Sequence, residues 1–204
     1  MRPAGISGTL IAMAESFHWQ DVNGSPAGSP GPGRLTAASG TDWFADPAGG
    51  EPIGSAPLTL AVFDGDFQLS ALVEAPLART YDAVALFVHG GPVSWAKLAL
   101  ERSPEGVDTI VTVVTRDVSD DANGAAAAQP GRSWLRISRM GGVYAFHHSG
   151  DGARWSLARL FTLGPVAAHR AGFSVQSPTG EGLSVSVTDL RITATTLADA
   201  RDGS

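Results

Sequence analysis

A regular punctuation of short apolar runs constrains this chain more than any other feature. Glycine (25 residues) and proline (13) make up about a fifth of the 204 positions, and they fall between segments in which apolar and other side chains alternate. Residues 66–74 show the pattern clearly: Phe67, Leu69, Ala71 and Val73 on one side, Asp66, Gln68, Ser70 and Leu72 on the other. Successive side chains leave a strand on opposite faces, so a period of two marks a β-strand. The same reading predicts strands over 9–13, 16–20, 35–38, 58–63, 81–89, 95–101, 109–116, 134–139, 143–148, 157–161, 170–176 and 183–192. No segment sustains a period of 3.6. The one helix-prone patch, 125–128, is stopped by Pro130-Gly131 and reads as loop. Residues 24–33 are a low-complexity loop, and Ser149-Gly-Asp-Gly152 is a tight hairpin turn, because Asp-Gly supplies the positive φ such turns need. Many short strands at spacings of roughly 8–15 residues predict an antiparallel β-sandwich. Residues 1–193 are expected to form one domain and 194–204, polar and alanine-rich, to fray.

Composition narrows the chemistry. There is no cysteine, which excludes disulfides, thiolate metal sites and a cysteine nucleophile. Net charge is −6 with arginines scattered, so no nucleic-acid footprint is expected. The first residues lack the apolar core of a secretion signal, and no run approaches the length of a membrane span. A soluble, cytoplasmic protein without membrane contact is the expectation.

Lys97 is the only lysine. On a strand over 95–101, Trp95, Lys97, Ala99 and Glu101 share one face and Leu98 and Leu100 the other. Along 81–89, Ala83, Ala85, Phe87 and His89 oppose Val84, Leu86 and Val88. If these strands are antiparallel neighbours, an aromatic, a cation and an anion share a face on which small alanines leave room for a ligand. Lys97 and Glu101 are about 13 Å apart along such a strand, too far to pair with each other.

An ordered set of motifs runs through the chain: Thr41-Asp-Trp-Phe44, Gly65-Asp-Phe67, Tyr81-Asp82 before an apolar strand, and Trp95-x-Lys97-x-x-x-Glu101. Val113-Val-Thr-Arg-Asp117-x-Ser119-Asp120, Trp134-Leu-Arg136 followed by Arg139, Ser149-x-Asp-Gly-x-x-Trp155 and Ser177-Pro178 complete it. Over residues 17–192 the set resembles the DUF1349 family, also labelled "regulation of enolase protein 1"-like. The resemblance implies a concanavalin A-like lectin/glucanase fold, two curved antiparallel sheets with a concave face, and relatives appended to glycoside hydrolases. Two departures stand out. The family's Tyr-Asp-Gln-Ala-Gly is here Tyr81-Asp-Ala-Val-Ala85, and its Ser-Asp-Trp-Ser is here Ser119-Asp-Asp-Ala122, so an amide and an aromatic are missing.

The leading expectation is non-catalytic binding of a carbohydrate or another small polar, polyhydroxylated ligand on the concave face. Trp43 and Trp95 would stack on the ligand. Lys97, Glu101 and Arg116 would bond its hydroxyl or acidic groups, with Tyr81 and His89 at the margin. A regulatory module with a protein partner is the first alternative, and a glycoside hydrolase with unrecognised carboxylates the second. The Glu-x-Asp-x-x-Glu motif frequent among glucanases of this fold is absent, so no catalytic residue is assigned. No metal or cofactor is expected. His147 and His148 are adjacent and point to opposite faces, His18 and His169 are isolated, and residues 117–124 read as a solvated loop that only loosely resembles a calcium loop.

Overall fold

The computed structural model describes residues 17–23, 33–166 and 168–204. The expected strand over 9–13 and most of the loop over 24–33 lie outside the described residues. The described strands are β1 (Gln20–Val22), β2 (Arg34–Ala38), β3 (Trp43–Phe44), β4 (Ile53–Gly54), β5 (Leu58–Val62), β6 (Phe67–Glu74), β7 (Ala83–Gly91) and β8 (Ser94–Arg102). They continue with β9 (Asp108–Arg116), β10 (Val118–Ala126), β11 (Arg132–Met140), β12 (Val143–Ser149), β13 (Ser156–Phe161), β14 (Arg170–Gln176) and β15 (Gly182–Thr193). Seven strands form one sheet in the order β1-β5-β14-β7-β8-β9-β10, and six form a second in the order β13-β12-β11-β6-β15-β2. Each ladder within them is antiparallel, so the fold is the expected concanavalin A-like β-sandwich. Among the described residues no helix is long and apolar enough to cross a membrane.

Alternation builds the core between the sheets. Val84, Leu86 and Val88 of β7 and Ala96, Leu98 and Leu100 of β8 meet Leu69, Ala71 and Val73 of β6 and Leu135 and Ile137 of β11. The seven-stranded sheet is also buried on its other face. There Ala83, Ala85, Phe87, Trp95, Ala99, Val111 and Val113 pack under Trp43 and Ala56, which belong to a segment laid across the sheet. Coverage on both faces explains why Ala83–Val88 and Thr109–Val114 read as nearly continuous apolar runs, in contrast to β6.

The strand expected over 16–20 begins only at Gln20, and residues 125–126, expected as loop, belong to β10. Two larger expectations fail. Residues 117–124 are mostly strand: β10 pairs with β9, with Asp121 opposite Val113 and Asn123 opposite Val111. Asp, Asn and Gly disfavour strands intrinsically, but β10 is an edge strand, where exposed polar side chains also discourage further pairing. Nor do residues 194–204 fray. Leu197 is buried, the Gly203 carbonyl accepts a 2.8 Å hydrogen bond from Arg136, and the Ala200 carbonyl lies 2.8 Å from His147 Nε2. Those partners face outward from the six-stranded sheet and hold the tail against it.

The connection between β12 and β13 is longer than the tight hairpin expected, running over residues 150–155, but Gly152 takes the positive φ that the Asp-Gly pair predicts. Gly152 has φ 70°, and a Cβ there would come within 2.6 Å of the Trp134 ring, so only glycine fits.

Candidate ligand-binding cleft

The face of the seven-stranded sheet turned away from the core is divided by the segment that crosses it. Register fixes which side chains reach that face: Phe87 and Lys97 are cross-strand partners, as are Ala83 and Glu101, and Val113 lies beside Lys97 on the other side. Lys97 is only 2 % exposed. Its ammonium donates to Asp42 Oδ1 at 3.2 Å, to the Trp43 carbonyl at 2.8 Å and to Gln176 Oε1 at 2.8 Å. These three acceptors use all three ammonium donors, so the sole lysine fastens the crossing segment to the sheet and has none left for a ligand.

One side of this clamp is closed. Trp43 donates its indole N–H to the Ala56 carbonyl at 2.7 Å, lies edge-on to Trp95 at 5.7 Å and to Phe87 at 5.4 Å, and meets His89 at 5.9 Å. Trp95 is 2 % exposed and stacks on Phe87 at 5.4 Å. The expected stacking platform is therefore a packed aromatic cluster, and neither tryptophan offers a free face to a sugar. His89 is half-buried; burial lowers its pKa and the Arg170 charge lowers it further.

The other side is open. A cleft of about 380 Å³ is lined by Phe44 and Tyr81, by Asp42, Glu101, Asp121 and Asn123, and by Lys97 and Gln176 at its base. Tyr81 is 43 % exposed and holds a left-handed φ of 69°, a conformation uncommon outside glycine. A more open hollow of about 450 Å³ beside Arg34, Glu74 and Arg132 has no aromatic wall.

Of the seven predicted residues, the structure thus brings Tyr81, Lys97 and Glu101 to one cleft and packs Trp43, Trp95 and His89 beside it. Arg116 does not join them. Its strand neighbours Val113 and Thr115 take the outer face, so alternation turns Arg116 the other way, where its guanidinium reaches the Thr162 carbonyl at 3.5 Å. Sequence reasoning missed Phe44, Asp121, Asn123 and Gln176 as cleft residues. Gln176 is the cross-strand partner of Ala83, the position at which the family pattern places its own glutamine, a pairing that only the structure shows. Asp121 and Asn123 alternate on β10, but that signal was lost once the segment was taken for a loop.

Glu101 is the acid of the cleft whose ionisation the surroundings shift most. Among the described residues it forms no ion pair, in contrast to Asp42. Burial raises its carboxyl from 4.5 to about 7; the Lys97 ammonium opposes this, and Asp42 and Asp121 add to it. Between pH 4.5 and about 7 the folded chain keeps a proton that the unfolded chain has released. The stability tied to Glu101 is therefore whole below pH 4.5 and is lost as pH rises through about 7. Glu101→Gln, which stays neutral, is expected to exceed the wild type in stability at pH 8 by on the order of 2 kcal/mol and to match it at pH 4. Urea midpoints across that range measure the difference, and a constant offset would contradict it. Among the described residues no group of three or more His, Cys, Asp or Glu is arranged to hold a metal ion.

Comparison with known proteins agrees with this architecture. The model of the family DUF1349, "Protein of unknown function", matches residues 33–195. No curated protein sequence matches. A functionally unknown protein from Saccharomyces cerevisiae has a similar structure, with a TM-score of 0.76 and 22 % identity over 89 % of this chain and 98 % of that one. The GH43 protein BlXynB from Bacillus licheniformis shares the fold over 79 % of this chain at 12 % identity and a TM-score of 0.63, and the match spans only 33 % of that enzyme. The exoplasmic/lumenal domain of VIP36, in a form bound to Ca²⁺ and Man3GlcNAc, matches over 89 % of this chain and 85 % of that one at 10 % identity and a TM-score of 0.52. At these identities the likenesses show the fold alone.

Proposed function

The chain belongs to the DUF1349 family, and from that premise we propose that it binds a carbohydrate or a similar polyhydroxylated ligand, without catalysis, in the cleft beside Lys97. One observation carries this reading: two partly exposed aromatic rings, Phe44 and Tyr81, flank a recess in which Glu101, Asp121 and Asn123 have no side-chain partner among the described residues. Sugars are held by such a combination, in which a ring packs on C–H surface while carboxylates and amides take the hydroxyls. Lys97 and Gln176 serve as a rigid base, since Gln176 is also engaged, accepting from Lys97 and donating to the Tyr81 carbonyl at 3.3 Å. The fold shared with a domain solved with Man3GlcNAc bound and with part of a GH43 chain supports the ligand class.

A glycan array followed by calorimetry on the best hit tests the proposal. Tyr81→Ala and Asp121→Ala are each expected to weaken binding about tenfold, roughly 1.4 kcal/mol, with the fold intact. An array blank for the wild type would overturn the reading. A second reading, glycoside hydrolysis, is favoured by Glu101 alone: a carboxyl raised to about 7 can act as a general acid, and Asp42 and Asp121 line the same recess. Turnover of chromogenic glycosides that disappears in Glu101→Gln would establish it in place of simple binding.

A further inference from the structure

The outer face of the six-stranded sheet, on the opposite side of the molecule from the cleft, carries a row of cations without counter-charges. Arg136 of β11 is the cross-strand partner of Ser70 on β6, and Ser70 is the partner of Arg191 on β15. At the usual strand spacing the two arginine Cα atoms are about 10 Å apart, with the short serine between them. Each guanidinium lies over an indole: Arg136 over Trp155 at 4.4 Å and Arg191 over Trp134 at 4.6 Å. Such stacking fixes the plane of a guanidinium but does not neutralise it. Among the described residues neither arginine pairs with a carboxylate. The nearby acids of the tail are turned to their own backbone, Asp199 to the Arg201 N–H and Asp202 to the Ser204 N–H.

Two details indicate a built site. Arg136 is only 6 % exposed, yet its Nε has no hydrogen-bond partner. Burial without a counter-charge lowers its pKa to about 10, so the group remains a cation at neutral pH. The second detail is the bulge in β15 between Thr188 and Arg191. Before it, Val185 and Val187 point into the core; after it, Ile192 does. Without the extra residue, Arg191 would share the face of Val187 and point inward. The bulge re-aims it outward, opposite Ser70.

We propose that the hollow between Arg136 and Arg191, about 170 Å³ and lined also by Gln68, Ser70, Thr193 and Trp155, is a second binding site, for a phosphate or sulfate group. The lining has guanidinium and hydroxyl donors and no carboxylate, the Gln68 amide being already engaged with Thr195. Guanidinium forks match tetrahedral oxyanions with paired hydrogen bonds. Chloride lacks the several oxygens that would satisfy both forks and the serine together.

The test follows indole N–H resonances of the full chain during titration with inorganic phosphate, inorganic sulfate and glucose 6-phosphate, each against sodium chloride at matched ionic strength. Saturable shifts of the Trp134 and Trp155 signals are expected with all three anions but not with chloride. Affinity is expected to fall at least tenfold in Arg191→Gln, an exposed position whose loss leaves the core intact. Equal affinities for inorganic phosphate and glucose 6-phosphate would identify the free ion as sufficient, and tighter binding of the ester would identify an esterified group; both support the site. Shifts that never saturate, or that persist unchanged in Arg191→Gln, would overturn it.

Discussion

Replacing Lys97 with methionine is expected to destabilise the protein by about 3–5 kcal/mol, as measured by urea denaturation at neutral pH. Methionine keeps the stem volume and removes the ammonium. What remains is the Asp42 carboxylate, the Trp43 carbonyl and the Gln176 amide oxygen, each having lost its donor beneath the crossing segment. The Lys97 side chain is 3 % exposed and that of Asp42 18 %, so water relieves the carboxylate in part and the two buried oxygens hardly at all. Combining Lys97→Met with Asp42→Asn is expected to restore part of the loss, because removing both charges is less costly than stranding one. If Lys97→Met were as stable as wild type, the ammonium would not be what fastens the segment, and the description of a clamped cover would fail.

Trp95→Ala is expected to cost about 3–5 kcal/mol as well, for a different reason. The indole fills the space between Phe87 and Trp43 with almost no exposure, so truncation opens a void that a sheet pinned on both sides cannot close. Trp95→Phe separates this packing role from a ligand-stacking one. It is expected to lower stability modestly while leaving glycan affinity in the cleft unchanged. A phenylalanine variant of wild-type stability that no longer binds would return the tryptophan to the binding surface.

The fold was legible because alternation is a local signal. Residues 66–74 announced their faces from eight side chains, and the Asp151-Gly152 pair announced a positive φ. The sharing of one face by Trp95, Lys97 and Glu101 was legible for the same reason. Whether that face is open was not, since the answer lies in residues 42–56, some forty to sixty positions earlier in the chain. The apolar runs in β7 and β9 did contain a hint, because a strand bare on one face seldom lacks polar residues there. β10 was missed because its composition disfavours strand and only its pairing with β9 makes it one. The tail was missed because an alanine-rich, polar end says nothing about the Arg136 and His147 side chains that wait for its carbonyls.

Several of the motifs shared with the family meet one another in space. Lys97 holds Asp42 and Trp43, the Ser119 hydroxyl accepts from the Ala45 N–H at 2.9 Å, and the Ser177 hydroxyl donates to Asp82 at 2.7 Å. Much of that signature therefore maintains the lid over the sheet and the corner beside it.

Travelling along β8 from Glu101 toward Trp95, free surface ends at the lysine, where the Trp43 backbone rises like a wall. Under the proposed binding role, an oligomer lying along β8 would meet that wall with its end, and shortening it from the far end is expected to leave the affinity untouched.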